Sequence, residues 1–354
     1  MNIPYRTRRK LNRIGFVSMA LLTMLIIFWF CWVMFVERYV VYTQDGAHLD
    51  LSFSANDLTG EVASPPVVEN PISIYYNEGS NATSTSTEMT QLNGYYIDEN
   101  ALKNVSEVWE QLAPLPAGTP IMIDLKGGYG SFFYSSYLSD ALQSASTDIS
   151  AVDDLIQKCK NKGFYLMARI SAFRDYSFGL NHVPSGLYML NRKGLWADSG
   201  GCYWLNPTDS TTLNWVSSVI LELKAMGFQE VVLKDFSFPN SDRYIFSGNK
   251  DTALQDAAKT LITNCGSDTF TLSFTVSSAN FPLPEDSRCR IFMENVSATD
   301  VPAKASTYTG ENPEIYLGFI ATTNDTRYNA YSVLRPLSAA EVLEAQKADQ
   351  ASQE

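Results

Sequence analysis

Several charged side chains sit where apolar runs end, and their types admit acid–base and ligand-gripping chemistry. Asp124 and Lys126 close the run PIMIDLK two residues apart, so strand alternation places them on one face. Arg169 lies in FYLMARIS, which runs on into Phe173, Arg174 and Asp175. A loop then carries Trp196, Asp198, Trp204 and Asn206. EVVLKDFSF holds Lys234 beside Asp235, and RIFMENV holds Glu294. Two facing carboxyl groups suit acid–base work, one giving a proton while the other takes one or attacks. Asp124 with Glu294 is the pair that best fits that role. Lys126, Arg169, Asp175, Trp196, Asp198, Trp204, Asn206, Lys234 and Asp235 are the expected ligand contacts. The plainer alternative is structural: Asp124 paired with Lys126, Lys234 or Arg169 and held ionised by them.

Other chemistries lack residues. His48 and His182 are the only histidines, and no His or Cys spacing suits a metal. Glycine-rich phosphate loops and the G-x-S-x-G elbow are missing, so no cofactor is expected. Cys265 and Cys289 flank a predicted strand, where a local disulfide or two free thiols are both open.

The elements that must position these residues alternate in type. Strand patterns fall at 94–97, 120–126, 164–171, 230–238, 269–277, 290–296 and 314–320. Helical patterns lie between most of them. One ends on Gly163; another starts at a capping Asp209 or Ser210 and ends on Gly227. Such alternation predicts an α/β fold, a (β/α)8-type TIM barrel, with its functional residues at the carboxyl ends of the strands. After EIYLGFI only a short apolar piece and a polar helix or tail remain, so the pattern predicts a barrel incomplete or irregular at its eighth strand.

Ahead of that barrel, Arg6, Arg8, Arg9, Lys10 and Arg13 precede an uncharged run from Ile14 to Val36. That run exceeds the ~20 residues a bilayer-spanning helix needs. Basic residues stay on the cytoplasmic side. The predicted organisation is a cytoplasmic segment 1–13, a transmembrane anchor 14–36, an extracytoplasmic stalk 37–90, a barrel 91–336 and a polar tail 337–354. The expected location is therefore the plasma membrane, single-pass, with the lipid bilayer contacted through 14–36. The formal charge is −12, and with the five leading cations set aside the remainder carries −17. Such an acidic ectodomain argues against nucleic acid as a partner.

Four segments carry a family resemblance: IMIDLKGGYGSFFY, LMARISAFRDYSFG, GLWADSGGCYWLNPTD and AMGFQEVVLKDFSFP. In order and spacing they resemble a bacterial glycosyl hydrolase domain family, exported barrels akin to the α-amylase type. The resemblance implies a sugar-handling cleft, and the departures imply lost catalysis. Aligning Phe238 and Pro239 with the family's GFDEIQFDYIRFP puts Lys234 on its aspartate, Asp235 on its tyrosine and Ser237 on its arginine. Gly127 and Gly128 replace two acids of IDVKDDYG, and Thr275 stands where the family's fifth strand has an aspartate. The expected function is a membrane-anchored barrel that binds envelope or exported polysaccharide, with an anionic glycan suited to Lys126, Arg169 and Lys234. The alternatives are an active hydrolase with a rearranged carboxylate pair and a structural envelope protein with protein partners only.

Overall fold

The computed structural model describes residues 22–25, 28–29, 40–43, 46–49, 88–284 and 287–337. Residues 1–81 and 82–354 form separate units. In the first, 22–25 and 28–29 are helical, with Leu22, Met24, Leu25, Phe28 and Trp29 exposed. Val40–Thr43 pairs antiparallel with Gly46–Leu49 inside the segment predicted as stalk. Among the described residues no helix is long and apolar enough to cross a membrane. The segment 1–13, most of the anchor 14–36, most of the stalk 37–90 and the tail beyond Leu337 lie outside the described residues.

The second unit is a closed barrel of eight parallel strands. They are β1 (Asn93–Ile97), β2 (Pro120–Lys126), β3 (Tyr165–Ser171), β4 (Glu230–Lys234), β5 (Thr271–Thr275), β6 (Ile291–Glu294), β7 (Leu317–Ile320) and β8 (Ser332–Pro336). Each pairs with the next in sequence, and β8 returns to β1 through Val333–Asn93 and Leu334–Gly94. This corrects the expectation of an incomplete barrel. The SVLRP run is the eighth strand; it is only five residues long, and its closing partner β1 lies more than 230 residues earlier in the chain.

Helices α1 (Val105–Leu112), α2 (Ile149–Lys162), α3 (Ser210–Ala225) and α4 (Lys250–Cys265) cover the first four crossovers. Their ends obey local chemistry. Asp148, Asp209 and Asn249 each accept a backbone N–H from the first turn of α2, α3 and α4. Gly163 stops α2 in the left-handed conformation at φ 78°. Apolar residues pack between strands and helices. A second apolar layer, of Met122, Met167, Val232, Phe292, Ile320 and Leu334, fills the barrel interior. Below it, buried Glu230 pairs with Arg290 and accepts hydrogen bonds from Tyr165 Oη (3.0 Å) and Ser273 Oγ (2.5 Å). The four described cysteines, Cys159, Cys202, Cys265 and Cys289, are buried free thiols, so no local disulfide joins Cys265 to Cys289.

Two strands depart from simple alternation at their carboxyl ends. In β2, Asp124 pairs with Arg169 but Lys126 pairs with Ile170, so a bulge falls between them. The inserted residue turns Lys126 to the outer face, against the expectation that it shares a face with Asp124. In β4, the strand stops at Lys234, short of the predicted 238, because Asp235 takes a left-handed φ of 54°.

Candidate functional site

At the carboxyl end of the barrel axis, four strands contribute one polar network. Tyr96 from β1 donates its hydroxyl to Asp124 Oδ2 on β2. Arg169 on β3 donates from Nη1 to Tyr96 Oη (2.6 Å), and the same nitrogen lies 3.6 Å from Asp124 Oδ1. Its Nη2 binds Glu294 Oε2 on β6. One guanidinium therefore joins the two acids expected as a catalytic pair. Burial raises the Asp124 carboxyl above its usual range, and the nearby Arg169, Tyr96 and Lys234 only partly oppose it. The direction is opposite to the depressed carboxyl expected from the surrounding cations, because burial outweighs their attraction. Burial also pushes the Tyr96 phenol up, followed by the Asp124 charge, so the hydroxyl remains a donor.

Lys126 is absent from this network. Its ammonium lies 2.8 Å from Asp175 Oδ2 and donates to the Ser171 carbonyl (2.8 Å), with both side chains buried. Asp175 also caps the short helix Tyr176–Asn181 through Phe178 N (2.9 Å) and accepts from Trp215 Nε1 (3.1 Å). These two residues, expected as ligand contacts, fasten the barrel to its helix layer. Asn206 accepts from Thr208 N (3.1 Å) and Thr208 Oγ1 (2.9 Å) in the turn before α3, and it too lies outside the cleft.

The cleft itself, about 1140 Å³, opens beside the axis between the loops after β3, β4 and β5. Trp196, Trp204 and Phe238 supply aromatic wall; Asp198, Asp235, Asp242 and Glu294 supply carboxylates; Arg243 is the one basic residue in the lining. Trp196, Asp198, Trp204 and Asp235 thus line one cleft. Lys234 does not line the cleft and makes no ion pair among the described residues; its charge acts on Asp124. With Lys126 outside and Arg169 committed to two acids, the cationic rim expected from sequence is replaced by an acidic lining.

Asp235 reaches this cleft because of its left-handed backbone. Continued extension would have aimed it at the helix layer; the φ of 54° turns it back, and its carboxylate accepts Ser171 Oγ (2.7 Å). Asp198 is held by Arg174 Nε (2.6 Å), Trp204 Nε1 (3.0 Å) and the N–H groups of Gly200 and Cys202. Although desolvation opposes it, the hydrogen bonds from Arg174 and Trp204 lower Asp198 to about 2.

Sequence reasoning missed Tyr96 and Arg174. Tyr96 is an inward tyrosine near the end of the first strand, where a search restricted to acids and cations does not look. Arg174 depends on glycines: a Cβ on Gly128 would sit 2.3 Å from its Nη1, and one on Gly200 2.7 Å from its Nη2. Gly128 is the space through which this guanidinium reaches Asp198.

Residues 96–269 match the family model described as "Putative glycosyl hydrolase domain". No curated protein matches the chain. Among solved structures, a hypothetical protein from Ruminiclostridium thermocellum ATCC 27405 is 15% identical over 51% of this chain and 96% of its own, with a TM-score of 0.44. A GH36 alpha-galactosidase from Geobacillus stearothermophilus is 10% identical over 75% of this chain and 42% of its own, with a TM-score of 0.46. An alpha-galactosidase from Lactobacillus brevis is 11% identical over 75% and 40%, with a TM-score of 0.49. This chain therefore spans less than half the length of either galactosidase.

Proposed function

We propose, from the premise that residues 96–269 belong to that glycosyl hydrolase domain family, that the chain binds a glycan in its barrel-mouth cleft and does not cut it. The observation that carries the reading is Arg169, whose two terminal nitrogens join Glu294 to the Tyr96–Asp124 pair. A glycosidase needs one carboxyl free to donate a proton and another free to attack or to activate water. Here both inward acids are bound to one guanidinium, and an ammonium, Lys234, stands where the resemblance places an aspartate. What remains is a binding surface: Trp196, Trp204 and Phe238 beside hydrogen-bonding acids, the mixture that holds ring-shaped polar ligands.

The N-terminal run from Ile14 to Val36 extends the proposal to location. Its length and flanking cations suit a single membrane span with the barrel outside the cytoplasm, where envelope or exported polysaccharide is the available glycan.

A second reading has its own observation. The left-handed turn at Asp235 returns a carboxylate to the cleft that Glu294 also lines. That pair would serve a hydrolase with rearranged acids. The full chain in detergent, incubated with a glycan panel, separates the readings. Binding without release of reducing ends is expected. Turnover that disappears in Glu294→Gln would replace it with the hydrolase, and failure to bind any glycan would leave only a structural role with protein partners.

A further inference from the structure

We infer that the cleft selects a glycan bearing free, unacylated amino groups, with Asp235 as the anchor for the ammonium. This rests on the glycan-binding reading and adds the charge of the ligand.

Most charges that line the cleft are matched by opposite ones. Asp198 is neutralised by Arg174 at 2.6 Å. Glu294 is bound to Arg169. Asp242 and Arg243 are adjacent, exposed and of opposite sign. Asp235 is left without an ion pair of its own among the described residues, although the charge of Arg174 also acts on it. It is half-buried, and its one hydrogen-bond donor is the neutral Ser171 hydroxyl. An ionised carboxylate accepts at about four lone-pair positions, and burying it without a cation is unfavourable. A cationic ligand supplies what the protein withholds.

A second group, independent of charge, lines the same cleft. Thr275 lines the cleft with 7% of its surface exposed, and its Oγ1 has no hydrogen-bond partner. Buried hydroxyls are normally satisfied. A protonated amine has three N–H donors, enough to reach a carboxylate and a hydroxyl together. Lys234 does not line the cleft, and its charge acts on Asp124. An acidic glycan would instead meet four lining carboxylates, and a neutral one would leave Asp235 without its cation.

The test uses the full chain in detergent and calorimetric titration with hexamers of β-1,4- and β-1,6-linked glucosamine, each beside its fully N-acetylated counterpart. The amine form of at least one linkage is expected to bind about tenfold tighter than its acetylated form, equivalent to about 1.4 kcal/mol. That preference should shrink in about 0.5 M salt, where charge attraction is screened. Asp235→Asn should remove the preference; asparagine tolerates the left-handed backbone, which favours folding. Thr275→Val should weaken amine binding independently. Equal binding of both forms by the unmodified chain, or a preference that survives Asp235→Asn, would overturn the inference and leave glycan binding standing. Failure of every oligomer to bind, alongside failure of neutral and acidic glycans, would overturn the glycan reading itself.

Discussion

Lys126 and Asp175 form an ion pair of 2.8 Å on the outer face of the barrel, closed off from the cleft that both were expected to line. The pair locks the end of β2 to the loop after β3, and through Trp215 to α3. A single change strands the other charge in a dry site.

Lys126→Met is therefore expected to destabilise the barrel by about 3–5 kcal/mol, the range for removing one partner of a buried pair. Urea unfolding measures it. Lys126→Met combined with Asp175→Asn should recover part of the loss, since no lone charge stays buried.

Tyr96→Phe removes one hydroxyl that serves two partners, donating to Asp124 and accepting from Arg169. The expected cost is about 1–3 kcal/mol, the penalty for buried polar groups left short of a partner. An unchanged unfolding midpoint would mean that the network closes up without it.

Gly94→Ala would place a Cβ 2.1 Å from the Pro120 carbonyl oxygen. Backbone cannot swing aside as a side chain can, so β1 and β2 must separate near the barrel's closing seam. A loss toward the upper end of the about 1–3 kcal/mol typical of overpacking is expected in thermal unfolding. Gly128→Ala differs in kind. Its nearest atom is the tip of Arg174, which can move, so folding should change little while Asp198 loses its guanidinium.

The two acids respond to pH with opposite sign. Asp198 is depressed to about 2 in the folded chain against about 3.9 unfolded. Its stabilisation is complete above about pH 4 and is lost as the pH falls through about 2. Asp124 is raised, so the folded chain holds its proton more tightly than the unfolded chain does, and stability falls as pH rises from the unfolded value through the folded one. Denaturation across acid pH should show Asp198→Asn costing stability near neutrality but not at the acid end. Asp124→Asn should flatten the decline that sets in as the pH rises above about 4, the unfolded value.

Trp196→Ala tests the aromatic wall. Its ring is only partly buried and packs near Tyr244, 5.6 Å between centroids. Glycan affinity should drop by about tenfold, or about 1.4 kcal/mol, with a small change in unfolding midpoint. A large drop in stability with unaltered affinity would make Trp196 a packing residue.

Local pattern was enough for seven of the eight strands, the cap at Asp209, the stop at Gly163 and the family segments, because each depends on residues close in sequence. The charged residues at strand ends were legible as a set. Their grouping was not. Trp196, Asp198, Trp204 and Asp235 meet in one cleft, whereas Lys126 and Asp175 meet behind the sheet.

What the sequence determined by itself was the alternation of strand and helix and the apolar layers that drive barrel closure. Tertiary structure alone decided three things. A bulge after Asp124 moved Lys126 to the other face; a left-handed residue brought Asp235 back into the cleft; and barrel closure put Arg169 between acids from distant strands. Each depends on backbone geometry or long-range pairing that residue type does not encode, since one added residue or one positive φ redirects a side chain without altering composition.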